Sequence, residues 1–110
     1  GIIVSNHGGR QLDSVASSIS KLPAVASAIN HQAEVYMDGG VRNGLDVIKA
    51  VALGANGVLI GRPWIWAVAA QKQSGLVRLL DTFQNEMSVA MSLMGVNSIG
   101  ELTGEMIERK

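Results

Sequence analysis

The residues after the first apolar run include His7 and Arg10, whose types and spacing could perform acid–base chemistry on a small acid. Gly8 and Gly9 lie between them and carry no side-chain bulk, so the chain can turn and bring both side chains to one cavity. An imidazole can accept a proton from a hydroxyl-bearing carbon centre near neutral pH, and a planar guanidinium holds a carboxylate through two parallel hydrogen bonds. The pair suits a 2-hydroxy acid. The spacing fits equally well a histidine bonded to a neighbouring carbonyl and a solvated arginine.

Two later glycine-arginine segments resemble a phosphate-binding cradle. Gly39 and Gly40 precede Arg42, and Gly61 precedes Arg62. Bare backbone N–H groups at a helix start, together with two cations, favour an anion such as a phosphate. The alternative is that these glycines only make turns.

Asp38 stands next to the first pair of glycines. It could accept hydrogen bonds from a ribityl or ribose hydroxyl group. It could instead cap a helix or form a salt bridge with Arg42.

Three short apolar runs predict the strands that position these residues. They cover Ile2 to Val4, Glu34 to Met37 and Val58 to Ile60, and each ends in a glycine-rich turn. The first and third are continuously apolar, which is typical of parallel strands that helices cover on both faces. Ligands collect at the carboxyl ends of such strands, where His7, Asp38 and Arg62 lie.

Apolar residues three or four positions apart predict a helix after each strand. A short last helix is predicted from a capping-box pattern of Ser98 and Glu101. The first helix is predicted to have Ser20 as its cap and Pro23 in its first turn. The second is predicted to place Leu45, Ile48 and Ala52 on one face, to pair Asp46 with Lys49, and to end at Gly54. The third is predicted to run from Leu76 to Met94 and to end at Gly95, with one apolar face that consists of Leu76, Leu80, Phe83, Met87, Ala90 and Met94.

The resulting order is β-α-β-α-β-α, which indicates right-handed parallel βα units. Such units build either a doubly wound sheet or a (β/α)8 barrel, and three strands cannot close a barrel. The chain begins directly with a strand, so we expect residues 1–110 to be one piece of a single α/β domain that needs further strands.

Composition excludes several classes of function. Nine basic and nine acidic residues give no net charge, which offers nucleic acid and anionic membranes no bulk attraction. The absence of cysteine excludes disulfides and thiolate metal sites, and suits the cytoplasm. We expect no transmembrane segment, no metal site and no serine-esterase elbow.

The segment from Ser5 to Asp13, Ser-Asn-His-Gly-Gly-Arg-Gln-Leu-Asp, resembles the signature of the FMN-dependent 2-hydroxy-acid dehydrogenases and oxidases. This family includes glycolate oxidase, lactate oxidase and the lactate and mandelate dehydrogenases. The segments from Asp38 to Arg42 and from Gly54 to Pro63 are similar to the same family, so the resemblance covers essentially the whole chain. Other FMN barrels, such as the type 2 isopentenyl diphosphate isomerases, share the later two segments but leave His7 and Arg10 unexplained.

The resemblance implies that the chain forms strands six to eight of a (β/α)8 barrel, with its closing helices. It implies the oxidation of an L-2-hydroxy acid to a 2-oxo acid, with His7 as base and Arg10 on the substrate carboxylate. It also implies a set of FMN contacts. These are Ser5, Asp38, Gly39, Gly40, Val41, Arg42, Gly61 and Arg62.

The resemblance also implies what this chain lacks: strands one to five, the N-terminal tyrosines, a flavin-contacting lysine and the acidic partner of the histidine. We therefore expect the isolated chain to be inactive, or at most a half-barrel that binds FMN or phosphate weakly. The implied partners are a 2-hydroxy acid, the N-terminal part of the barrel and further copies of the chain, as in tetrameric full-length relatives. The parent would be cytoplasmic or peripheral to the inner membrane.

Overall fold

Three parallel strands form the centre of the protein, for which a computed structural model describes residues 1–108. The strands are β1 (Ile2–Val4), β2 (Val35–Met37) and β3 (Gly57–Val58), in the order β1-β2-β3. Val4 pairs with Met37, and Met37 pairs with Val58, so the three carboxyl ends lie in register. The third strand is shorter than predicted, although the N–H of Leu59 still donates to the carbonyl of Met37.

Three helices follow the strands: α1 (Ser18–Ile29), α2 (Gly44–Ala52) and α3 (Arg62–Met94). Short 3-10 turns lie at His7–Gly9, Ile99–Glu101 and Gly104–Met106. The α/β order and the parallel sheet are those predicted from the sequence.

The first helix begins earlier than predicted. Its N-cap is Ser17, with an extended backbone, and Pro23 lies inside the helix rather than in its first turn. Ser20 lies within the first turn, where both its N–H and its hydroxyl donate to the carbonyl of Ser17. Because proline has no N–H, the helix forgoes one hydrogen bond at Pro23.

The second helix is held at its start by a contact distant in sequence. Its N-cap is Asn43, whose side chain accepts the N–H of Asp46. The N–H of Gly44 donates to the Glu86 carboxylate at 2.6 Å. A Cβ atom on Gly44 would meet the backbone of Phe83, so the glycine permits α2 to approach α3 closely. The predicted pair of Asp46 and Lys49 is present at 3.8 Å, and Gly54 adopts the predicted left-handed φ, +106°.

The third helix starts 14 residues before its predicted start at Leu76, at Arg62. It is broken at Gln71 and Lys72, whose backbone angles are not helical, so a short helix of residues 62–70 precedes a long helix of residues 73–94. Gly95 ends the long helix with φ +73°, as predicted. The predicted capping box is not formed, because the Glu101 carboxylate accepts from the Ser98 hydroxyl and the N–H of Asn97 instead of reaching Ser98 N–H.

The helices cover one face of the sheet. Val4, Val35 and Met37 are buried there against helical residues such as Leu22 and Phe83. On the opposite face, Ile3 is 56% exposed although it lies in a strand. The expectation that helices cover the strands therefore holds for one face only in this chain. Leu45 and Leu80, predicted to face the core, are also half exposed.

Within residues 1–108, no helix is both long enough and apolar enough to cross a membrane. The same residues contain no cluster of three or more histidine, cysteine or acidic side chains that could hold a metal ion.

Candidate functional site

The loops that follow β1, β2 and β3 start side by side at one edge of the sheet. The N–H of Asp38 donates to the carbonyl of Val4 at 3.1 Å, and the N–H of Leu59 donates to the carbonyl of Met37 at 2.9 Å. These bonds extend the parallel pairing by one residue beyond the strands. The loops that carry His7, Arg42 and Arg62 therefore start from the same edge.

A tight turn presents His7 at this edge. The His7 backbone is left-handed with φ +55°, and Gly8 and Gly9 follow with φ +65° and +71°. A positive φ is costly for a residue with a side chain. The Ser5 hydroxyl stabilises it, because it accepts the N–H of His7 at 3.0 Å, and Arg10 N–H closes the turn on the His7 carbonyl. The imidazole and the Arg10 guanidinium both remain exposed to solvent.

The Asp38 side chain neither caps a helix nor forms a salt bridge with Arg42 within residues 1–108. The cap of α2 is Asn43. Among residues 1–108, no ion pair joins Asp38 to Arg42, and Asp38 Oδ1 is buried without a hydrogen-bond partner. A buried acceptor that no part of the chain satisfies is suited to a donor that comes from outside it.

The glycines beside Asp38 both have a left-handed backbone. Gly39 and Gly40 have φ +87° and +82°, and a Cβ atom on Gly40 would meet nothing within 4 Å. Within residues 1–108, the N–H groups of Gly39, Gly40 and Val41 donate to no other part of the chain. Successive free N–H groups in such a turn attract an anion.

Two arginines, Arg42 and Arg62, adjoin the glycine segments. Arg42 uses only its backbone N–H, which donates to Asp46 at 3.0 Å. Gly61 is the N-cap of the short helix 62–70, Arg62 is its first residue, and a Cβ on Gly61 would also meet nothing within 4 Å. In the part of the chain that is described, neither guanidinium pairs with a carboxylate. A short helix N-terminus beside the last strands of a barrel is a frequent phosphate site.

Comparison with known proteins identifies the chain's relatives. The family model described as FMN-dependent dehydrogenase matches residues 1–109. The chain belongs to the FMN-dependent dehydrogenase family. It is 52% identical to an L-lactate dehydrogenase of Allorhizobium ampelinum over 99% of this chain and 29% of that protein. It is 50% identical to 2-hydroxyacid oxidase 2 of Mus musculus, over 98% of this chain and 31% of that protein.

A solved structure agrees with this assignment. Mandelate oxidase with benzoyl-formic acid superposes with a TM-score of 0.87 and 50% identity, over 91% of this chain and 30% of that one. The α/β fold therefore matches part of a barrel flavoenzyme. The chain spans about three tenths of the length of the relatives it matches.

The residues of this FMN-dependent dehydrogenase chain fit the polar end of its family's cofactor. FMN ends in a ribityl phosphate. Its hydroxyl groups require hydrogen-bond acceptors, and its phosphate requires hydrogen-bond donors. Asp38 Oδ1 is a buried acceptor without a hydrogen-bond partner among residues 1–108, and the N–H groups of Gly39, Gly40 and Val41 donate to no acceptor in the same residues. The exposed guanidinium groups of Arg42 and Arg62 could supply the countercharge.

Two polar residues of the FMN-dependent dehydrogenase chain were not predicted as site residues. Asn6 and Ser18 each have a buried side-chain oxygen close to Gly39, without a hydrogen-bond partner among residues 1–108. Asn6 lies within the signature segment, which is a signal that could have identified it. Nothing in the sequence distinguishes Ser18 from the neighbouring serines, because its burial depends on how α1 packs on the sheet.

Proposed function

We propose that this chain forms the last three βα units, strands six to eight, and the closing helices of an FMN-binding (β/α)8 barrel. In the complete protein, that barrel oxidises an L-2-hydroxy acid of the lactate or glycolate type to its 2-oxo acid. The observation that carries the proposal is the shared sheet edge, from which the loops of His7, Asp38 and Arg62 start together.

The first loop handles the substrate in this proposal. The Arg10 guanidinium, which has no carboxylate partner among residues 1–108, binds the substrate carboxylate through paired hydrogen bonds. The His7 imidazole takes the proton released from the substrate, and the turn that Ser5 stabilises holds its backbone for that role.

The second and third loops hold the cofactor. Asp38 accepts a ribityl hydroxyl group, the backbone of Gly39, Gly40 and Val41 receives the phosphate, and Arg42, Gly61 and Arg62 complete the cradle. Ser5 contacts the flavin. Bound FMN supplies the two-electron acceptor that converts the hydroxyl-bearing carbon to a carbonyl.

The open face of the sheet supports the need for further strands. Ile3 lies in a strand and is 56% exposed. Trp64 and Trp66, on the short helix, are 42% and 63% exposed and could contact the rest of the barrel or another copy of the chain. Among residues 1–108, no side chain bonds to the His7 imidazole, so nothing here orients or activates it. We therefore propose that the isolated chain is catalytically inactive and tends to associate.

A grafted enzyme tests the complete proposal. Residues 1–110 would replace the matching segment of the L-lactate dehydrogenase of Allorhizobium ampelinum, with the parent enzyme as control. We expect the graft to retain flavin through gel filtration and to oxidise L-lactate. A correctly folded graft that releases its flavin, or retains it without turnover of any 2-hydroxy acid, would refute the proposal.

The isolated chain provides the complementary test. It would be mixed with excess FMN and passed over a gel-filtration column, and its elution volume and 2-hydroxy-acid turnover would be recorded. We expect no turnover. We also expect the chain to elute earlier than a monomer would, at a larger apparent mass. Turnover by the isolated chain would show that the missing strands are not needed.

A further inference from the structure

The loop that carries His7 and Arg10 has little of its own to hold it in place. Every residue from 7 to 17 is exposed. The backbone bonds inside the loop are local: the N–H of Gly9 donates to the carbonyl of Asn6 at 3.0 Å, and the N–H of Arg10 donates to the carbonyl of His7 at 3.3 Å. A segment without buried side chains, held by exposed hydrogen bonds, opens at a low free-energy cost. Two side chains that act on one substrate therefore need a contact that restrains this loop from outside.

The Asn6 side chain supplies such a contact, because it joins the two ends of the loop. Its Nδ2 donates to the carbonyl of Ala16 at 3.3 Å, ten positions further along the chain. Among residues 1–108, no other hydrogen bond connects residues 5–10 with residues 11–17. A bond at the base of a loop restricts the conformations of all the residues between its ends.

The Asn6 amide is also enclosed on its other side. Its Oδ1 is buried, and a Cβ atom on Gly39 would lie 3.2 Å from it. The reverse orientation of the amide would set its oxygen against the Ala16 carbonyl oxygen, and both are acceptors only. The nitrogen therefore faces Ala16 and the oxygen lies beside Gly39, so the amide stands between the loop after β1 and the loop after β2.

The backbone of Asn6 acts on the same turn as its side chain. Its carbonyl accepts the N–H of Gly9, and His7 is the next residue in the chain. A fixed Asn6 side chain consequently fixes the residue from which the left-handed His7 turn begins.

We infer that Asn6 is a positioning residue, which closes the loop of residues 7–15 at its base and so holds His7 and Arg10 at the edge of the sheet. Its effect falls on the loop after β1, whereas the residues proposed to bind FMN phosphate follow β2 and β3. The consequence for catalysis rests on the proposed function, in which His7 and Arg10 handle the substrate.

The closure of the loop is tested without reference to activity. Amide hydrogen exchange is measured by mass spectrometry in the graft, in peptides that cover residues 7–15. We expect Asn6→Ala to speed exchange in these peptides, because the loop opens more often, and to leave the peptides of α2 unchanged. Asn85→Ala is the matched control, since Asn85 is exposed on α3. Unchanged exchange in residues 7–15 of the Asn6 variant would overturn the inference.

The positioning role is tested by kinetics of the same graft. Asn6→Ala should lower kcat/KM for L-lactate about 10- to 100-fold, because small displacements of reacting groups cost that much, while the Kd of FMN stays unchanged. Asn6→Asp has the same shape but cannot donate to Ala16, and we expect the same loss. Full kcat/KM in either variant, or an equal loss of FMN affinity, would refute a role confined to the substrate loop.

The unaltered graft separates this inference from the proposed function. A folded graft that does not oxidise any 2-hydroxy acid would refute the proposed function, and the hydrogen-exchange result would then decide whether Asn6 closes the loop. An active graft in which Asn6→Ala changes neither exchange nor turnover would refute the role of Asn6 alone.

Discussion

The N–H of Asp38 donates a 3.1 Å hydrogen bond to the carbonyl of Val4. These residues are 34 positions apart, and the bond sets the first residue after β2 beside the last residue of β1. It brings the loop proposed to hold the substrate next to the loop proposed to hold the cofactor.

His7 is expected to be the base of the reaction. In the grafted dehydrogenase, His7→Gln should reduce the turnover of L-lactate by roughly 10²- to 10⁴-fold, because the proton acceptor is lost, while flavin absorbance is retained. His31→Gln is a matched control, since His31 is exposed in a different loop. Full turnover by the His7 variant would rule out the assigned base.

Arg42 and Arg62 are expected to act together on the phosphate. The double variant Arg42→Ala/Arg62→Ala should lose FMN during gel filtration, and each single variant should lose part of it, because two cations without carboxylate partners are removed. Lys21→Ala removes an exposed charge from α1 and should retain FMN. Unchanged retention in the double variant would exclude the proposed cradle.

Gly75 is expected to control the position of the short helix 62–70. A Cβ atom at this position would collide with the Ala67 carbonyl across the break in α3. Gly75→Ala should therefore reduce the free energy of unfolding by about 1–3 kcal/mol, as overpacking does, measured by urea denaturation. Gly100→Ala is the control, because its Cβ would meet only Ser98 Oγ at 3.9 Å. Equal stability of the two variants would argue against a close helix contact.

Lys72 is expected to be strained. Its φ of +53° and ψ of −134° lie in a region that is essentially reserved for glycine. Lys72→Gly should raise the free energy of unfolding by roughly 1 kcal/mol or more. Gln73→Gly, one residue later, should instead lower it by about 0.5–1 kcal/mol, because glycine is unfavourable in a helix. Opposite urea midpoint shifts in the two variants would support the assignment, and a destabilised Lys72→Gly would contradict it.

The Tyr36 hydroxyl is expected to have a pKa above the usual value for tyrosine. Its hydroxyl donates to the Glu34 carboxylate at 2.7 Å, and this hydrogen bond, followed by the negative charge of Glu34, raises the Tyr36 pKa. Because the pKa of Tyr36 is higher in the folded state than in the unfolded state, its bond to Glu34 contributes fully to stability below the unfolded-state pKa. This contribution is lost as the pH rises through the folded-state pKa. Tyr36 is the one tyrosine of the sequence, so tyrosinate absorbance reports it directly. Glu34→Gln should lower its pKa; an unchanged titration would show that Glu34 has no influence.

Short-range patterns predicted much of the fold. The strands at Ile2–Val4 and Val35–Met37, the left-handed Gly54 and the Gly95 helix end follow from apolar runs and from the conformational freedom of glycine. The start of α3 was missed because Arg62 to Ala70 looks like a loop followed by an apolar stretch, without the polar face of a surface helix. The start of α1 was misplaced because Ser17, Ser18 and Ser20 are all plausible caps, and packing rather than residue type decides among them.

The sequence by itself determined which chemical groups are present and the order in which they follow the strands. His7, Arg10, Asp38 and the glycine-arginine segments were identifiable because their types and spacing are local properties. Only the tertiary structure decided which groups meet. Asn6 and Ser18 converge on Gly39, and Glu86 reaches the N-terminus of α2, because strand register and helix packing join positions up to 42 residues apart. Such contacts depend on the summed packing of the whole chain, which no local pattern encodes.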